Sequence, residues 1–163
     1  MGWTKEQAAG IAANILQESG GNPFSVGDGG KAYGIGQWHP DRQEDFKRVF
    51  KRDIRDSTLD DQLKFFDWEL RNGPGQQRVA GDLLSRATDA NRAAAIVSQY
   101  HERPKDVEGE KYKRGIMADR IFGAMTGGAA ASGQAGNVAT GAAVGAPGTV
   151  SYTHLRAHET RED

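Results

Sequence analysis

One glutamate closes a nearly uncharged helical run, and a glycine-rich turn follows at once. The segment reads Ala8-Ala9-Gly10-Ile11-Ala12-Ala13-Asn14-Ile15-Leu16-Gln17-Glu18-Ser19-Gly20-Gly21-Asn22-Pro23. A carboxyl group set where an apolar helix leaves a core is poorly solvated, and poor solvation raises its pKa. Such a group holds a proton near neutral pH and can hand it to a leaving oxygen, the chemistry that glycosidic bond cleavage requires. Read alone, such a glutamate is more often a carboxylate that merely pairs with a nearby cation.

Asp28 is the second carboxylate, ten positions on, in the turn Gly27-Asp28-Gly29-Gly30 that would face Glu18. It could position water or oppose a developing positive charge; Asp-Gly is also an ordinary turn pair. Tyr33 and Gln37 follow in Ala32-Tyr33-Gly34-Ile35-Gly36-Gln37-Trp38-His39. An amide can hydrogen-bond the N-acetyl group of an amino sugar, and a tyrosine can stack and offer a hydroxyl. The competing explanations are an amide bonded to hairpin backbone and a tyrosine packed in a core. Ser19 either orients Glu18 or caps the helix end. Gly34 and Gly36 would allow sugar and backbone to approach closely. Trp38 and Trp68 read as core anchors.

These residues need elements to hold them. Thr4-Lys5-Glu6-Gln7 has the form of a capping box, with Trp3 before it as a staple. Ala8, Ile11, Ala12, Ile15 and Leu16 recur at helical spacing, which predicts a helix from Thr4 to Glu18 ending at Gly20-Gly21. Pro23 to Trp38 predicts a loop with a short hairpin. Pro40 opens a helix with Phe46, Val49 and Phe50 on one face. Ser57 or Thr58 caps the next, carrying Leu59, Leu63, Phe66 and Leu70. A helix with Val79, Leu83 and Leu84 follows. Thr88 opens another with Ala93, Ile96, Val97 and Tyr100, closed by Pro104, and Glu102 is read as an ion-pair partner of Arg103. A last helix, Val107 to Met125, is expected to bury Tyr112 and Ile116. The prediction is a mainly α (α+β) domain over residues 1–126, with a small β-hairpin between the first two helices.

From Gly127 to Val150 the chain carries no Lys, Arg, Asp or Glu and is almost wholly small residues. Such composition predicts a flexible linker, over 127–150, to something more C-terminal. Residues 151–163 change character abruptly and resemble translated sequencing-adapter sequence, so they are set aside from fold reasoning.

Composition excludes several classes. With 37% hydrophobic residues in 163, there is enough apolar material for one core. Cysteine is absent, which removes disulfides and thiol chemistry. The net charge is −1, and setting aside the last thirteen residues leaves 19 charges of each sign, so nothing favours nucleic acid. Lys47, Arg48, Lys51, Arg52 and Arg55 form a local basic run that reads as a solvated helix face or as a patch for an anionic polymer. No stretch approaches the ~18 apolar residues of a membrane span. No signal peptide is read at Met1-Gly2-Trp3-Thr4, so an extracellular role would require other export, carriage in a virion, or a missing start. Histidine and acid spacing matches no metal motif, no nucleophile elbow is present, and no phosphate loop occurs. No cofactor or metal is therefore expected.

Taken together, Glu18-Ser19-Gly20, Asn22-Pro23, Ala32 to His39 and Tyr100-His101-Glu102-Arg103-Pro104 resemble the phage tail lysozyme family over roughly residues 3–122. The resemblance implies a lysozyme-like fold and cleavage of the bond between N-acetylmuramic acid and N-acetylglucosamine in peptidoglycan. Glu18 would be the catalytic acid, and Gln37 would line the cleft floor. A tyrosine near Tyr100 in transglycosylase-like relatives reaches the glutamate or the substrate, against the plainer reading of Tyr100 as a core aromatic. Such relatives manage with one glutamate, so hydrolysis and the anhydro-forming lytic transglycosylase reaction both stay open. A non-catalytic wall-binding or structural tail module is the rival of another class. The implied setting is a virion acting on the bacterial wall, with other phage tail proteins as possible partners through further C-terminal sequence.

Overall fold

The computed structural model describes residues 2–102 and 106–127. The closing role of Pro104, the pairing of Arg103, and the expectations for residues 128–163 lie outside the described residues.

Helix α1 spans Lys5–Ser19. Its capping box forms: Thr4 Oγ1 accepts from the Gln7 N–H, and Gln7 Oε1 accepts from the Thr4 N–H. Gly20 ends the helix at φ 64°, a left-handed position that glycine adopts without strain. The inward face differs from the predicted stripe. Gln7, Ala9, Gly10, Ala13, Asn14 and Ile15 are buried, while Leu16 is 42% exposed. The cause is that α1 lies against two later helices, α5 and α6, through small residues that let backbones approach. A Cβ on Gly10 would stand 2.6 Å from both Ala93 Cβ and the Ala94 amide nitrogen. Ala8, Ile11, Ala12 and Ile15 instead line an apolar groove of about 320 Å³ with Trp3, Leu63 and Phe66.

The hairpin is minimal. β1 (Val26–Gly27) pairs antiparallel with β2 (Ala32–Tyr33), Val26 opposite Tyr33. A 3₁₀ turn at Asp28–Gly30 joins them. The loop is pinned to the helical body by buried Gln62. Its Nε2 donates to Pro23 O and Ser57 Oγ, and its Oε1 accepts from the Ile35 N–H.

Helix α2 is Pro40–Phe50 and α3 is Leu59–Asn72, the latter opened by a Thr58–Asp61 capping box. α4 is Gln76–Leu84. α5, Ala90–Ile96, is capped by Asp89 rather than Thr88. It does not continue as a regular helix; a widened π-helical turn runs over Val97–Glu102. α6 is Val107–Met125. The fold is thus mainly α with a two-stranded hairpin between α1 and α2.

Trp38, Phe46, Phe65 and Phe66 form the centre of the larger core, Trp38 meeting Phe65 edge-on at 5.3 Å. Trp68 stacks on Phe65 at 5.7 Å. A second cluster, Ala9, Ala13, Ala90, Ala94 and Ala118, is the seam of α1, α5 and α6. Tyr112 is corrected from core to surface: it is 72% exposed, because α6 turns Arg114, Gly115 and Ala118 inward. Leu59 and Val79 are likewise partly exposed. Within the basic run, Arg52 pairs with Asp61 at 3.4 Å and Arg55 with Asp53 at 3.7 Å. Among the described residues no helix is long and apolar enough to cross a membrane.

Candidate active site

A polar cleft of about 350 Å³ opens between the end of α1, the hairpin loop, the start of α2 and the π-helical turn. Glu18, Gly36, Gln37, His39, Asp41, Arg42 and Glu102 line it. The apolar groove beside Trp3 holds one acid, Asp67, and that is taken up by Trp3 Nε1 and Arg71. The polar cleft holds three carboxyl groups, those of Glu18, Asp41 and Glu102.

Glu18 sits one residue before the end of α1, with 23% of its side chain exposed. Arg114 Nη2 on α6 donates to its Oε1 at 2.7 Å. Arg114 is itself only 3% exposed and bonds Asn14 Oδ1 at 2.8 Å and Glu110 Oε2 at 3.2 Å. Asn14 lies one turn before Glu18, and its amide nitrogen donates to Gly10 O and Ala94 O. The acid is thereby held from three helices. Burial raises the Glu18 pKa above the ordinary value, and the charges of Glu102 and Glu110 add to this against the Arg114 bond. With Oε1 engaged by Arg114, a proton on Glu18 resides on Oε2.

Ser19 does not touch the Glu18 carboxyl. Its hydroxyl lies within bonding distance of Ile15 O (3.1 Å) and Ile35 O (3.0 Å) and accepts from the Gly21 N–H, tying the helix end to the hairpin loop. Gln37 does line the cleft, but its Nε2 donates to Ser25 O and Gly34 O. Its Oε1 packs where a Cβ on Gly27 would stand. Gly36 also lines the cleft, yet the side its missing Cβ would occupy faces Trp38, 2.8 Å from Cε2. Tyr33 is 7% exposed and lies in the core, with the Arg55 guanidinium 4.9 Å from its ring centre. Tyr100 packs against the same core. Asp28 is on the exposed turn, 3.8 Å from Nδ1 of His39, and His39 rather than Asp28 lines the cleft. Among the described residues no group of His, Asp and Glu is arranged to hold a metal ion.

Beneath the cleft lies a buried charge network that the sequence did not disclose. Arg42 makes a two-pronged pair with Glu69, both bonds 2.7 Å. Trp38 Nε1 donates to Glu69 Oε2 at 2.8 Å. His101, fully buried, sits 3.0 Å from Glu69 Oε2 and 2.8 Å from Glu102 Oε1. Burial and the charge of Arg42 oppose charge on His101, but Glu102 and Glu69 outweigh them and the pKa is raised; Arg42 Nη2 also lies 3.1 Å from Nε2. Glu102 therefore pairs with His101. For Arg114, Arg42 and Glu69 the only sequence signal was charge at inward helical positions, and no motif singles out any of them.

A model of phage tail lysozymes matches residues 1–125. The chain belongs to the phage tail lysozyme family. Among curated relatives of this phage tail lysozyme family member, Morphogenesis protein 1 of Bacillus phage B103 is 26% identical over 135 residues. That alignment covers 77% of this chain and 36% of the relative, so the chain spans about a third of that protein's length. No solved structure matches it.

Proposed function

We propose that the domain is a muramidase that hydrolyses the β-1,4 bond between N-acetylmuramic acid and N-acetylglucosamine in peptidoglycan. Glu18 is the general acid. The observation that carries this is a part-buried carboxyl at a helix end, facing a polar cleft, with one oxygen clamped by Arg114 and its pKa raised. A neutral carboxyl there can protonate the leaving oxygen, after which the sugar cation is captured by water. Gln37 and Gly36 form the wall that the sugar meets, and Ser19 is a tether of that wall. Asp28 is a turn residue. The wall polymer is the partner, and the setting is a virion acting outside the host membrane.

Purified wall digested with the protein should release new reducing ends, with fragment masses one water heavier than anhydro products. Glu18→Gln should keep the fold and lower the rate at least ~100-fold, the scale of a lost general acid. Anhydro products would reassign the reaction to a lytic transglycosylase. A parent protein that binds wall without releasing fragments would make the domain a binding module.

A further inference from the structure

Two carboxylates face the cleft from helical elements. Glu18 ends α1, and Glu102 ends the π-helical turn with its side chain 5% exposed. Widened turns of this kind recur at functional sites, where they re-aim side chains. Glu102 Oε1 is held by His101 at 2.8 Å. His101 is held in turn by Glu69 at 3.0 Å and by stacking on Phe66, ring centres 4.2 Å apart. Glu69 is fixed by Arg42 and Trp38. The orientation of Glu102 is therefore set by a chain of buried bonds, while its Oε2 has no bonded partner among the described residues. Asp41, the third acid at the cleft, is exposed, and no hydrogen bond fixes it among the described residues.

We propose that Glu102 is the second carboxylate of the reaction, the base that takes a proton from the water attacking the anomeric carbon. This rests on Glu18 being the acid. The bond from the anomeric carbon to the leaving oxygen breaks, its electron pair going to that oxygen, which takes the proton of Glu18. The water oxygen forms the new bond to carbon, and its proton passes to Oε2 of Glu102. One water is consumed, and solvent returns each carboxyl to its starting state. His101, Glu69 and Arg42 are positioning residues that aim Glu102.

The two acids sit in unequal surroundings, which is how a pair of carboxylates divides acid and base roles. Glu18 is faced by Arg114 and Glu110 of α6 and by Glu102. Glu102 is faced by His101 beside it, Arg42 of α2, Arg114 of α6 and Glu18 of α1. Burial pushes the Glu102 pKa up, but His101, Arg42 and Arg114 outweigh it and bring it below the ordinary value, while burial and the charge of Glu102 raise that of Glu18.

The test uses the full chain on isolated peptidoglycan, measuring initial rates, pH profiles and melting for Glu102→Gln and Glu102→Asp. Glu102→Gln should lose at least ~100-fold in rate, with a lower melt than the parent because buried His101 loses its charged partner. Sodium azide, a nucleophile that needs no base, should restore turnover and leave a glycosyl azide on the product. Azide should do nothing for Glu18→Gln, which lacks the acid. Should the glutamine variant fail to fold, Glu102→Asp takes its place: its shorter reach should slow the reaction at least ~10-fold without changing the fold. Full activity in either variant overturns the proposal. So does a slow Glu102→Gln that azide leaves slow and whose pH limb alone has moved, since that is the mark of a charge acting through Glu18. Glu18→Gln retaining parental activity would instead remove the acid assignment itself.

Discussion

The indole Nε1 of Trp38 donates to Glu69 Oε2 at 2.8 Å, and neither side chain is more than 2% exposed. That bond joins the aromatic core directly to the charged floor of the cleft. The same glutamate oxygen meets Arg42 and His101, so one carboxylate serves packing and site geometry together.

Glu69 should therefore govern stability in acid. Burial alone would raise its carboxyl, but Arg42 and His101 reverse this and hold the pKa at about 2 against an ordinary 4.5. A depressed carboxyl contributes stability that is complete above its unfolded pKa and is lost as pH falls through the folded one. The window is pH 4.5 down to about 2, and the shift corresponds to on the order of 3 kcal/mol. Melting of the parent should fall through that window, and Glu69→Gln should flatten the fall. At neutral pH the variant should lose about 3–5 kcal/mol, because Arg42 is left without its partner. An acid slope unchanged in Glu69→Gln would refute the assignment.

Arg114 should tune the acid. Its bond and charge lower the Glu18 pKa, so Arg114→Met raises that pKa further. A general acid works below its pKa, so the alkaline limb of the rate profile should move to higher pH. Stability should fall by up to about 3–5 kcal/mol, since Glu18, Glu110 and Asn14 lose a shared, buried donor. A pH–rate profile and a melt on the same sample check both.

Asp28 offers a contrast. Asp28→Asn keeps the turn-forming side chain while removing its charge, and the group stands on the exposed hairpin tip. Wall-clearing activity should stay within a few-fold of the parent. A folded but inactive variant would place Asp28 in the reaction.

Gly10→Ala should destabilise, although alanine is the better helix former by about 1 kcal/mol. The new methyl would meet Ala94 backbone nitrogen at 2.6 Å, and backbone cannot rotate away. Overpacking of this kind costs about 1–3 kcal/mol. Denaturant unfolding should show a lower midpoint with an unchanged slope.

Most of the fold was legible because its signals are local. The Thr4 box, Gly20, Pro40 and the glycines around Asp28 each dictate backbone within a few residues, and the elements begin and end close to them. Burial was less legible where the inward face is small or charged. Ala9, Ala13 and Arg114 point in while Leu16 and Tyr112 point out, because α1 and α6 pack through backbone proximity and a buried cation rather than an apolar stripe. The place of Glu18 at a cleft was legible from one helix end. The company it keeps was not, since Arg114 lies 96 positions away and Glu102 owes its aim to a turn type that no residue pattern announces.

The clamp on Glu18 comes from α6, the last helix among the described residues. A ribosome releases α1 before α6, so until residue 114 has emerged Glu18 has no Arg114 and the alanine seam no third wall. A chain truncated or cleaved ahead of residue 114 keeps every motif around Glu18 yet lacks the geometry that aims it. If Glu18 is the acid, its chemistry waits on the emergence of α6 rather than on the local motif.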